Sequence, residues 1–166
     1  MKVLRRVVVL FLLALLSCPL VVAQNSTSHT LRKQVSALLA KHKDEKGVMA
    51  MESDGGVKLQ AVKMMLRKEF GQEFSDAVKA FAIIFYKDAS AENVGKIVGG
   101  INQITKSLRE INIQDRMKKG ERARGYVRLS DNQQKITDLM IVVQAPSPKL
   151  IYISGEFDAA GTNIKR

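Results

Sequence analysis

The spacing of apolar residues changes character along the chain, and each change predicts an element. Leu31, Val35, Leu38 and Leu39 fall at i, i+4, i+7 and i+8, one stripe of a helix that starts near Thr30. The charged run Lys41 to Lys46 and then Gly47 end it. Gly47 to Ser53 predicts a short strand and Asp54-Gly55-Gly56 a turn. Leu59, Val62, Met65, Leu66 and Phe70 predict the inward face of a second helix, closed by Gly71 as a C-cap glycine. Ala80 to Tyr86 is an unbroken apolar run rich in aromatic and β-branched residues, which suits a buried strand. Ser90 is placed to cap a third helix with Glu92 in its first turn. Val94, Ile97, Val98, Ile101, Ile104 and Leu108 make its stripe. Gly95, Gly99 and Gly100 each weaken that helix by roughly 1 kcal/mol relative to alanine. They are expected to allow close packing on a sheet.

The last third alternates with period two. Ala123, Gly125, Val127 and Leu129 interleave with Arg122, Arg124, Tyr126 and Arg128. Ser130 to Gln134 is a polar turn, Lys135 to Gln144 the next strand, and Leu150 to Phe157 the last, after the turn Pro146-Ser147-Pro148. The predicted fold class is α+β, with two or three helices packed on one face of a mainly antiparallel sheet that ends in a three-stranded meander.

The beginning of the chain follows a different rule. Lys2, Arg5 and Arg6 precede ten consecutive apolar residues, Val7 to Leu16, and Ser17-Cys18-Pro19 interrupts them. Val21-Val22-Ala23 then offers the short residues that a signal peptidase reads. The expected organisation is a signal peptide over 1–23, a disordered lead-in over 24–30 and a single α+β domain over 31–166. The expected location is exported, periplasmic or in the cell envelope, with cleavage after Ala23. Two alternatives stay open. Leu15-Leu16-Ser17-Cys18 loosely resembles a lipobox, which would make Cys18 a lipidated N-terminus. An uncleaved anchor is the other, although a spanning helix needs about twenty apolar residues. No transmembrane segment is expected in the mature chain.

Charge and composition narrow the chemistry. The 166-residue chain carries a formal +11; the three leader cations leave about +8 on the remainder. That balance favours anionic partners, and export lowers the rank of nucleic acid, which is not expected. The single cysteine is Cys18, so cleavage after Ala23 leaves no thiol chemistry. His29 and His42 are the only histidines, one in the lead-in and one in a charged stretch, and both are expected to be solvated. No metal site, cofactor motif or catalytic set can be assembled. Asp131, Asp138, Glu156 and Asp158 are scattered carboxylates; Glu156 and Asp158 share a strand face by spacing. The densest basic feature is Arg122, Arg124, Tyr126 and Arg128, four side chains on one strand face with Lys118 and Lys119 upstream. Forked guanidinium groups beside a phenol suit phosphate or carboxylate. The same alternation also arises on any polar outer sheet face.

Several of these segments resemble a known family. They are Met64-Met65-Leu66, Leu108-Arg109-Glu110-Ile111, Lys118-Lys119-Gly120-Glu121, Gly125-Tyr126-Val127-Arg128, Lys135-Ile136-Thr137-Asp138-Leu139 and the closing Leu150-Ile151-Tyr152-Ile153-Ser154-Gly155-Glu156-Phe157-Asp158. Together they look like domain-of-unknown-function family 4252, exported proteins mainly of Bacteroidetes. The resemblance implies export and an α+β fold. It carries no catalytic residues, and the chain departs from the family in lacking a convincing lipobox. The expected function is a non-enzymatic envelope protein, a small binding or interaction module whose basic sheet face meets an anionic envelope surface or a protein partner. The alternative is a hydrolase acting on an envelope polymer through Asp138, Glu156 or Asp158.

Overall fold

A computed structural model describes residues 28–113 and 120–158. The expected leader with Cys18, most of the expected lead-in, and Lys118 and Lys119 lie outside the described residues.

The described chain runs α1 (Ser28–His42), β1 (Met49–Ser53), α2 (Gly56–Phe70), α3 (Gln72–Ala77), β2 (Val78–Phe85), α4 (Ala91–Thr105), β3 (Arg109–Ile111), β4 (Arg122–Leu129), β5 (Lys135–Ala145) and β6 (Lys149–Asp158). The six strands form one antiparallel sheet in the order β1-β2-β6-β5-β4-β3. The fold is therefore α+β, and β4, β5 and β6 form the expected meander.

Helices cover the sheet from both sides. On one face α1 and α4 bury Leu31, Val35 and Ile101 against Ile84, Met140 and Leu150. On the other, α2 and α3 bury Leu59, Leu66 and Phe74 against Phe81, Ile141 and Ile153. The first pair matches the expected helical layer; the second adds a layer behind the sheet. Coverage on both faces explains why β5 is buried continuously from Asp138 to Val143 instead of alternating.

The local signals that set the helices are visible. Ser90 Oγ accepts the Asn93 N–H at 3.2 Å and caps α4. Gly71, with φ 89°, donates its N–H to the Arg67 carbonyl and closes α2. The stripes need four corrections. Met65 is 53 % exposed, because at about 100° per residue it sits a quarter-turn or more from the inward line of Leu59, Val62 and Leu66. Val98 is likewise exposed, rotated away from Ile97, Ile101 and Ile104. Gly100 makes the close approach expected of the α4 glycines, but toward Leu38 of α1 and not toward the sheet; Gly95 and Gly99 face open space. His42 is not solvated: it is 1 % exposed, with Nδ1 2.9 Å from Glu45 Oε1. The short α3 and the three-residue β3 follow from neither periodicity.

Candidate functional site

The arginine ladder lies on β4, one strand in from the β3 edge, on the face that carries α1 and α4. Ala123, Gly125 and Val127 turn inward to the opposite layer, as the alternation requires. The four outward positions do not form one cluster. Arg122 and Arg124 are exposed, whereas Tyr126 and Arg128 are half-buried. Arg124 Nε stands 3.9 Å from Glu110 Oε1 on β3, an exposed and loose pair. Tyr126 packs against the core beneath α1 and α4. Arg128 lies opposite Asp138 in register, and its charge acts on that carboxyl.

Asp138 is the residue that patterning undervalued. It is fully buried in β5, and the Tyr152 hydroxyl donates to its Oδ1 at 2.6 Å. Thr137 Oγ1 donates to Oδ2 at 2.9 Å. Ser154, also buried, stands opposite it on β6. Burial pushes the Asp138 carboxyl above its usual range, while the bonds from Tyr152 and Thr137 and the Arg128 charge pull it back. Burial, and then the nearby carboxylate, push the Tyr152 phenol well up. The available signal was Thr137-Asp138 inside an apolar strand, since a carboxylate at such a position needs donors nearby.

Tyr152 also reaches the other polar feature of this face. A cleft of about 200 Å³ opens between α1, β1 and β2, lined by Arg32, Ser36, Glu52, Asp54 and Ala82 with Tyr152. Its polar rim is internally matched. Arg32 pairs with Asp54, and Ser36 Oγ donates to Glu52 Oε2 at 2.5 Å. These contacts tie α1 to β1.

The remaining carboxylates are not gathered with Asp138 in a common environment. Glu156 is exposed and paired with Lys79 and Lys135, which hold it below the usual carboxylate range. Asp158 lies at the end of β6 opposite Lys135, and Asp131 is exposed in the turn before β5. Asp138 and Glu156 are therefore shifted in opposite directions, Asp138 upward by burial and Glu156 downward by its two lysines. Among the described residues no group of three His, Cys, Asp or Glu side chains is arranged to hold a metal ion. No helix among them is long and apolar enough to cross a membrane. His42 Nε2 and Glu45 Oε2 are buried without a hydrogen-bond partner, at the C-terminal end of α1.

No family model matches the chain, and no curated protein or solved structure is significantly similar to it.

Proposed function

We propose that the chain is an exported, non-enzymatic envelope protein that binds an anionic partner through the outer end of its basic sheet face. The carrying observation is the placement of Arg122 and Arg124 two residues apart, both exposed on one face of β4. Guanidinium groups so spaced meet successive carboxylate, sulfate or phosphate groups of a polyanion. The charge of the chain and the leader-like N-terminus support the same reading, and a place in domain-of-unknown-function family 4252 is part of the proposal. Periplasmic release after Ala23, with Cys18 removed, is the form of it favoured here. The hydrolase alternative through Asp138, Glu156 or Asp158 is the weaker reading, since Asp138 is fully buried and Glu156 is engaged by two lysines.

Salt elution from immobilised heparin tests the reading. Arg122→Gln together with Arg124→Gln should bring the protein off at clearly lower salt than an exposed-lysine control such as Lys43→Gln. Coincident elution of all three proteins would remove the basic sheet face as the binding surface.

A further inference from the structure

Helix α2 has two apolar faces, and the sheet covers only one. Leu59, Val62 and Leu66 point to the core. At about 100° per residue, Val57, Ala61 and Met64 fall on the opposite line. All three are exposed, Val57 at 86 % and Met64 at 63 %. Lys58 and Arg67 flank this outer stripe on its two sides, and Lys68 continues it; all three cations are exposed. The helix contains four basic residues and the single acid Glu69.

The sheet edge on the α2 face is apolar as well. Met49 and Met51 on edge strand β1 lie opposite Phe85 and Ile83. Ile83 in turn pairs with Ile151, which packs against the α2 layer. Met49 is 68 % exposed, and Lys149 Nζ lies 5.9 Å from the centre of the exposed Phe85 ring.

We propose that this side, led by the outer stripe of α2 with Met49 and Met51 beside it, seats the protein on an anionic lipid bilayer. A helix lying in the plane of a membrane presents apolar side chains to the acyl boundary and cations to the head groups on both flanks. Unbranched methionines suit that boundary because they adapt to a fluid contact. Charge selects the occupant. A second copy would bring Lys58, Arg67 and Lys68 against their own equivalents, whereas anionic head groups complement them. The seat is on the α2 side, away from Arg122 and Arg124, so it stands independently of the proposed polyanion contact.

Peroxide footprinting of the methionines tests it on the exported full chain. With phosphatidylglycerol–phosphatidylethanolamine vesicles, oxidation of Met49, Met51 and Met64 should slow several-fold. Phosphatidylcholine vesicles should not slow it; they also separate this contact from a retained apolar leader, which partitions into either lipid. Each cation near an anionic bilayer strengthens binding about fivefold, so Lys58→Gln, Arg67→Gln and Lys68→Gln together should weaken binding roughly a hundredfold and abolish protection. These positions are exposed, and an unchanged melting curve verifies the fold. Arg122→Gln with Arg124→Gln should retain protection. The proposal fails if vesicles leave the three methionines unprotected. It fails equally if protection grows with protein concentration in the absence of lipid, the mark of a second copy, or if the Arg122 and Arg124 substitutions remove it.

Discussion

Tyr152 donates its hydroxyl to a carboxyl that solvent does not reach, and this pair couples stability to pH. Asp138 titrates near 3.8 when unperturbed, and burial raises that value in the folded protein. Below the unfolded value both states are protonated, and the contribution of Asp138 is fully present. As pH rises toward and through the raised folded value, the unfolded chain gives up its proton first, and that stability is lost. Asp138→Asn removes the titration. As pH rises above about 4, the variant should therefore gain on the native protein in urea midpoint. Parallel profiles would mean that Asp138 titrates alike in both states. Little of this pair was legible in advance. Patterning assigns Asp138 and Tyr152 to strands, but only the register of β5 on β6 brings them together. The arginine ladder shows the converse: alternation places its four side chains on one face, yet α1, α4 and the core divide them into an exposed end and a half-buried end.

At the scale of elements, the three α4 glycines are not equivalent. A Cβ on Gly100 would lie 2.4 Å from Leu38 Cδ1, whereas one on Gly95 or Gly99 meets nothing within 4 Å. Gly95→Ala and Gly99→Ala should each stabilise the protein by up to about 1 kcal/mol through helix propensity. Gly100→Ala should fall short of both, because a buried leucine must move to admit the methyl. Thermal melting of the three single variants measures the order; equal gains would mean that α1 and α4 are not in close contact at Gly100. The longer elements were readable because their signals agree: stripe and glycine stop for α2, stripe and serine cap for α4, alternation for β4, and an apolar run for β2. β3 was not readable, since three residues of which two are charged carry no period. α3 is a six-residue turn of helix between Gly71 and β2, too short to build a stripe. His42 reads as solvated from its charged neighbours, but it lies one turn beyond Leu38 and Leu39 and is buried with them.

The whole molecule is a sheet between two helical layers, with separate apolar clusters on its two faces. Ile101 belongs to one cluster and Ile153 to the other. Ile101→Val and Ile153→Val should each cost about 0.5–1.5 kcal/mol. Their double variant should show the sum within about 0.5 kcal/mol, since they share no partner. Both layers rest on the same strands, so unfolding should remain a single transition by far-UV and near-UV signals alike. Separate transitions would divide the molecule at the sheet. The strand order also bears on the chain in time. β6 is the last described strand to be synthesised, and it occupies the middle of the sheet, between β2 and β5. At about 5–20 residues per second, β2 leaves the ribosome with β1 already made but several seconds before β6, its other partner, exists. Until then the sheet is two disconnected pieces, with no native pairing across the gap. The six-stranded sheet, and with it the common support of both helical layers, is therefore completed only after the last of its described strands has been made.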